Sequence, residues 1–124
     1  MKILISNTSN LAIYEQIIRQ IKDAVIAKEL QAGEMLPSIR SLAKDLQISV
    51  ITTKRAYEEL EKEGLIYSVA GKGFYIAKQN TNILKEKKIQ MLEEELGNLV
   101  MEWKKADLSK EDMMDFINVV FEEL

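Results

Sequence analysis

Hydrophobic positions in the first part of the chain follow helical spacing over two separate segments. In the first segment, apolar residues recur at intervals of three and four, namely Tyr14, Ile17, Ile18, Ile21, Ala24 and Val25. This spacing predicts an amphipathic helix over about residues 11–30. Gly33 and the only proline, Pro37, then interrupt the pattern. Ser38 is predicted to cap a short second helix, whose apolar positions are Ile39, Leu42, Ala43 and Leu46.

A third helical segment follows a predicted tight turn at Gln47 and Ile48. Ser49 is predicted to cap this helix, and Gly64 to end it in a left-handed conformation. The helix begins with four consecutive β-branched residues, a type that favours strands: Val50, Ile51, Thr52 and Thr53. Because helix propensity matters least at a capped helix start, this run indicates that its methyl and hydroxyl groups serve contacts with another molecule.

The two faces of the third helix differ when its residues are placed at 100° intervals. One face is predicted to pack into the core and carries Thr53, Ala56, Tyr57 and Leu60. The opposite face carries Ile51, Arg55, Glu58 and Lys62, with Thr52 and Lys54 on the flanks. The helix is therefore predicted to present its β-branched and basic residues outward.

The last part of the chain predicts a hairpin and two further helices. Residues 65–78 contain two short β-rich runs around a glycine turn, which indicates a β-hairpin. Beyond the hairpin, residues at intervals of three and four form a coiled-coil-like seam: Ile89, Leu92, Leu96, Leu99 and Trp103. Ser109 and Asp112 then predict the start of a last helix. Its apolar stripe is Met113, Phe116, Ile117, Val120, Phe121 and Leu124.

This order of elements is typical of a winged helix-turn-helix domain followed by a helical tail. The predicted fold class is mainly α with a small β-hairpin. We predict a DNA-binding winged helix-turn-helix domain over residues 1–78 and a two-helix dimerisation tail over residues 79–124. A recognition helix reads bases mainly with its N-terminal residues, where hydroxyl and methyl groups can contact base edges and phosphates.

Charge divides the chain at the same place. The net charge of the 124 residues is −3. Residues 1–78 carry 11 Lys and Arg against 9 Asp and Glu, or +2, whereas residues 79–124 carry 6 against 11, or −5. A weakly basic first part and an acidic tail indicate two different roles.

Composition excludes several classes of chemistry. The chain contains neither cysteine nor histidine, so it lacks thiolate chemistry and the commonest general base and metal ligand. We therefore predict no enzymatic activity, no metal site and no cofactor. No apolar run approaches the roughly 20 residues of a membrane span, and the N-terminus has no signal-peptide pattern. The sequence thus favours a cytoplasmic protein without membrane contact.

Residues 13–77 resemble the N-terminal DNA-binding domain of the GntR family of bacterial regulators. The resemblance depends on "GEMLPSIRSLA", with its G-x-x-LPS-x-R-x-LA pattern, and on "AYEELEKEGL". It implies a transcriptional regulator that binds double-stranded DNA. The DNA-contact residues that it implies are Arg40, Ser49, Lys54 with its neighbour Arg55, the wing-tip Gly71 and Lys72, and the reader positions Val50, Ile51 and Thr52.

Three positions depart from the family pattern. The chain has Val50 where an arginine is frequent, Gln47 where a glycine is frequent, and Ala12 where a proline is usual. Guanine readout from position 50 is therefore not expected, although DNA binding is.

The tail of 46 residues is too short for the family's larger ligand-binding domains and resembles the YtrA-like branch. The tail of that branch mainly dimerises, and its members often control transporter operons. Two amphipathic helices also cannot bury their stripes alone. The predicted dimer-interface residues are Leu92, Leu96, Leu99, Trp103, Phe116, Ile117, Val120 and Phe121.

We therefore predict a homodimeric repressor that binds a palindromic operator, with a small-molecule effector left open. The alternative is a winged-helix protein-interaction module that docks partners through its acidic tail. A steep salt dependence of DNA binding would separate the two hypotheses, because neutralising phosphates releases counterions.

Overall fold

The computed structural model describes all 124 residues as five helices and one two-stranded antiparallel sheet. The contacts divide the chain into two compact units, Met1–Lys85 and Glu86–Leu124. The predicted fold class is confirmed. The predicted domain boundary after residue 78 stays a prediction. In order, the elements are α1 (Ile13–Ile26), α2 (Ile39–Leu46), α3 (Val50–Lys62), β1 (Ile66–Val69), β2 (Gly73–Ile76), α4 (Thr81–Lys105) and α5 (Lys110–Glu123).

The first unit is built around one hydrophobic core that α1, α2, α3 and the hairpin share. The predicted inner face of α3 is confirmed, because Thr53, Ala56, Tyr57 and Leu60 are all buried. The Tyr57 ring meets the Phe74 ring edge-on, with centroids 5.0 Å apart, and so packs α3 against the hairpin. The largest fully buried side chains are Tyr57, Ile17, Ile21, Leu60, Ile66, Ile76 and Thr53.

The predicted helix caps are confirmed. The Oγ atoms of Ser38, Ser49 and Ser109 each accept a hydrogen bond from the backbone N–H three residues later, at 3.0 Å. Gly64 has a φ of 79°, and the Leu65 N–H donates to the Leu60 carbonyl at 2.9 Å. These contacts satisfy backbone groups that helix ends leave without partners.

The first helix is shorter than predicted. α1 ends at Ile26, so the extension to about residue 30 is wrong. Lys28 adopts the left-handed conformation with a φ of 62°, and the Leu30 N–H donates to the Ala24 carbonyl at 3.1 Å. The chain reverses at this point, and the buried Leu30 reaches the core from a turn instead of a helix.

The N-terminal segment is held along α1 by two glutamines one helical turn apart. The Gln20 side chain accepts from the Leu4 N–H at 2.9 Å and donates to the Leu4 carbonyl at 2.7 Å. Gln16 forms the same pair of hydrogen bonds with Ser6, at 2.8 and 2.9 Å. Ile3 is buried in the core. This segment therefore belongs to the first unit, a contribution that the sequence analysis did not predict.

The second unit contains α5 and the larger part of α4, and none of its residues is buried. Trp103 is partly buried, and its Nε1–H donates to the Ser109 carbonyl at 2.8 Å. The Leu108 N–H donates to the Trp103 carbonyl at 3.2 Å. These contacts close the turn between the two helices. None of the helices combines the length and apolar composition needed to cross a membrane.

Candidate nucleic-acid interface

The first turn of α3 is organised by hydroxyl groups. Ser49 Oγ accepts from the Thr52 N–H at 3.0 Å and donates to Thr52 Oγ1 at 2.8 Å. Thr53 Oγ1 donates to the Ser49 carbonyl at 3.1 Å, so the Thr53 hydroxyl serves the helix. Because Thr52 Oγ1 accepts the proton of Ser49, its own proton remains available for an external acceptor.

The apolar residues of the same turn face outward. Val50 is 46% exposed and Ile51 is 81% exposed. The outward face predicted for α3 is confirmed, since Ile51, Arg55, Glu58 and Lys62 are all exposed. An isolated exposed isoleucine is common on protein surfaces, but here it lies at the capped start of the second helix of a helix-turn-helix, the part of that motif that contacts bases.

The two basic residues of α3 differ in their surroundings. Lys54 Nζ lies 3.8 Å from Glu58 Oε1, and both side chains are largely exposed, so the pair stabilises the helix little. The Arg55 guanidinium lies 3.8 Å from the centre of the Tyr14 ring, which joins α3 to α1 by a cation–π contact. A DNA contact by either residue stays a prediction.

The remaining predicted DNA-contact residues lie on α2 and on the hairpin tip. Arg40 is exposed in the first turn of α2. Lys72 is exposed between β1 and β2, and its N–H donates to the Val69 carbonyl at 2.9 Å. Gly71 and Gly73 have φ values of 77° and 127°, which side chains rarely adopt. The tight tip therefore presents Lys72 to solvent.

Polar contacts fix α3 relative to its neighbours. The Tyr57 hydroxyl donates to the Pro37 carbonyl at 2.7 Å, and burial raises the pKa of this hydroxyl well above its usual value, so the donor proton is retained. Glu61 Oε2 accepts from the N–H and Oγ of Ser68, at 3.2 and 2.9 Å. These contacts tie α3 to the segment before α2 and to β1.

An open cavity of about 440 Å³ lies beside the first turn of α3. Ser49 and Thr52 line it together with residues that the sequence analysis did not assign to the site. The one feature of the sequence that points to this cavity is Gln47, which stands where the family frequently has a glycine. The lining residues are Ile5, Asn7, Ile13, Leu46, Gln47, Ile48, Ser49 and Thr52.

The residues predicted for the dimer interface fall into two groups that differ in how exposed their side chains are. Trp103, Ile117 and Val120 are partly buried within their own chain. The other five are exposed, by between 48% and 75% of their surface: Leu92, Leu96, Leu99, Phe116 and Phe121. Their participation in a dimer stays a prediction.

The arrangement of α2, the turn and α3, followed by the β1–β2 wing, is that of a winged helix-turn-helix. Residues 13–76 match the family described as bacterial regulatory proteins, gntR family. The chain belongs to the GntR family and is a DNA-binding transcriptional regulator of that family.

Relatives match the chain over nearly its whole length. The transcriptional repressor YtrA of Bacillus subtilis is 35% identical, over 95% of this chain and 91% of the relative. A Listeria monocytogenes EGD-e structure described as a transcriptional antiterminator has a TM-score of 0.71 and 31% identity, covering 97% of this chain and 90% of the other. YtrA of Sulfolobus acidocaldarius, a GntR-family transcription factor, has a TM-score of 0.56 and 30% identity, with 98% of each chain covered. The similarity to the YtrA proteins thus extends through α4 and α5.

Proposed function

We propose that the chain is a homodimeric repressor in the cytoplasm, without enzymatic activity, that binds a palindromic operator. The observation that carries this proposal is the outward face at the start of α3, where Val50 and Ile51 are exposed beside the Ser49 cap. Apolar side chains at this position can contact thymine methyl groups in the major groove. Arg40, Lys54 and Lys72 are exposed and basic, and they would supply contacts to the phosphates on either side.

The polar frame around α3 supports this proposal. A recognition helix and a wing must keep a fixed orientation relative to each other if both are to contact the same DNA duplex. Tyr57 packs against Phe74 of the wing, and Glu61 holds Ser68 through two hydrogen bonds. The position of the hairpin relative to α3 is therefore fixed by the fold before DNA binds, which reduces the conformational entropy that is lost on binding.

Dimerisation is proposed from the exposed apolar residues of α4 and α5. At 100° per residue, Leu92, Leu96 and Leu99 fall within about 60° of one another on α4. They are between 48% and 64% exposed, and exposed apolar residues gathered on one side of a helix are typical of an interface. In a two-fold dimer these three leucines would pack against the same leucines of the second copy, and the two α3 helices would contact two related half-sites on the DNA.

Repression is proposed because the B. subtilis relative YtrA is named a transcriptional repressor. The YtrA-like resemblance adds the expectation that the operator controls a transporter operon. Mapping the chain's binding sites across the genome of its own organism would test this expectation, which fails if no bound site lies upstream of transporter genes.

The experiment that tests the DNA-binding surface combines site selection with a salt titration. The full chain should select one palindromic sequence from random duplexes. Lys72→Ala should weaken binding to all duplexes alike and lower the slope of log K against log salt by about 1 for each protomer, because one phosphate contact is lost. Lys110→Ala, which removes an exposed lysine at the start of α5, is the control and should leave the slope unchanged.

Two results would contradict the DNA-contact role. Equal slopes for the Lys72 and Lys110 variants would remove the wing tip from the interface. Selection of no sequence, together with weak and salt-insensitive binding, would favour the protein-interaction module that docks partners through its acidic tail.

A further inference from the structure

Gln47 holds a backbone conformation that glutamine rarely adopts. It ends α2 with φ 55° and ψ 47°, in the left-handed region. Its N–H donates to the carbonyls of Ala43 and Lys44, and the Ile48 N–H donates to the Ala43 carbonyl at 3.0 Å. This turn requires a left-handed residue, but glycine would meet the requirement without crowding the side chain against the backbone. The fold alone therefore does not explain a glutamine here.

The side chain of Gln47 lies where DNA is proposed to approach. It is exposed, and no hydrogen bond within the chain engages its amide. It lines the open cavity beside the first turn of α3 together with Ser49 and Thr52, two of the proposed DNA-contact residues. No charged side chain lines this cavity, so a contact made there would come from neutral groups.

We propose that Gln47 is a further DNA-contact residue, whose side-chain amide donates a hydrogen bond to a phosphate oxygen of the strand passing the first turn of α3. This inference rests on the proposed function, because it requires DNA to approach that turn. A contact to phosphate fixes the position of the helix on the duplex and carries no sequence information. Because the amide is neutral, the contact releases no counterion.

The first test replaces Gln47 by glycine in the full chain. Gln47→Gly should leave Tm unchanged or raise it by up to about 4 °C, because the left-handed conformation suits glycine. Binding to the duplexes that the wild-type chain selects from random DNA should weaken about five- to tenfold, the loss of one hydrogen bond. The salt slope and the selected sequence should not change.

A matched control exists at Lys28, which also adopts the left-handed conformation, with a φ of 62°. Lys28 lines a different cavity, with Val25 and Lys78. The variants Lys28→Gln and Lys28→Gly differ from each other as wild type differs from Gln47→Gly, by a glutamine against a glycine. Here the difference is at a left-handed position away from α3. These two variants should bind the selected duplexes equally. A difference as large as that caused by Gln47→Gly would mean that the backbone is responsible, and would overturn the proposal.

A gain of binding provides the second test. In Gln47→Lys, position 47 still carries a side chain in the left-handed conformation, and that side chain now places a positive charge beside the proposed phosphate. It should tighten DNA binding and raise the salt slope by about 1 for each protomer. An unchanged slope, or an unchanged affinity of Gln47→Gly, would overturn the proposal.

A lower Tm together with weaker binding in Gln47→Gly would also overturn it, because the residue would then support the fold. If the wild-type chain itself selects no duplex, the proposed function fails. If the wild-type chain binds and the Gln47 variants match it, only this inference fails.

Discussion

The two units of the chain differ in how far their apolar side chains are buried. In Met1–Lys85, large side chains such as Ile17, Ile21 and Leu60 are fully buried. In Glu86–Leu124, no residue is buried, although α4 and α5 carry many large apolar side chains. The first unit therefore has a complete core of its own, whereas the second leaves much of its apolar surface exposed, including Leu96, Leu99 and Phe121. We expect the tail to be stable only when another surface covers these exposed side chains.

The exposed apolar residues also differ in arrangement. On α3 the exposed ones, Val50 and Ile51, are adjacent at the helix start. On α4 the exposed leucines, Leu92, Leu96 and Leu99, recur at intervals of four and three residues over about two turns, the spacing of an interface between helices. The same type of side chain would thus serve DNA in one unit and self-association in the other.

The largest expected effect separates a buried leucine from an exposed one. Leu60→Ala should lower the free energy of unfolding of the first unit by about 2–5 kcal/mol, because it leaves a cavity in the core. Leu99→Ala, at a position 64% exposed, should leave the stability of that unit unchanged. Urea denaturation followed by circular dichroism measures both, and similar losses for the two variants would show that the units are not independent.

A smaller effect concerns the two kinds of exposed apolar residue. Ile51→Ala should change the preferred operator at one or two base pairs, with each altered position worth about 1–3 kcal/mol, and should leave assembly unchanged. Leu92→Ala should leave the preferred sequence unchanged and weaken assembly. Site selection from random DNA and sedimentation measure the two properties. An unaltered preference in the Ile51 variant would show that this exposed side chain does not contact a base.

The smallest effect compares one hydrogen bond in each unit. Tyr57→Phe removes the donor to the Pro37 carbonyl and should cost about 1 kcal/mol of stability, since the acceptor then loses its partner. Trp103→Phe removes the donor to the Ser109 carbonyl at the exposed turn and should cost less, because water can replace the lost partner. Thermal unfolding measures the difference, and an equal or larger loss for Trp103→Phe would contradict the comparison.

Sequence patterns predicted the elements whose signals are local. Ser38, Ser49 and Ser109 cap helices, and Gly64 ends one, because capping depends on residues within one turn. The early end of α1 could not be predicted, since Lys28 carries no glycine or asparagine signal for its left-handed conformation. The buried face of α3 could also be predicted from the sequence, because the fixed period of a helix determines which residues share a face.

Contacts between distant segments were not readable from the sequence. The pairing of Gln16 and Gln20 with the N-terminal segment joins residues 10 and 16 positions apart. The stacking of Arg55 on Tyr14 likewise depends on how α1 and α3 pack. The cavity beside Gln47 brings together the N-terminal segment and the helix-turn-helix turn. Sequence patterns indicated the residues of α3 that face outward, but not what surrounds them.

We propose that the exposed apolar residues of α4 and α5 join two copies of the chain, and sedimentation at micromolar concentration tests this proposal most directly. The wild-type chain should sediment as a dimer, at twice its mass of 14.2 kDa. Leu96→Asp should shift it to monomer, because the carboxylate would lie among these apolar residues. Met101→Asp is the matched control, because Met101 is similarly exposed but lies on the opposite side of α4, and it should remain dimeric. A wild-type monomer, or a dimer that Leu96→Asp leaves intact, would contradict the account.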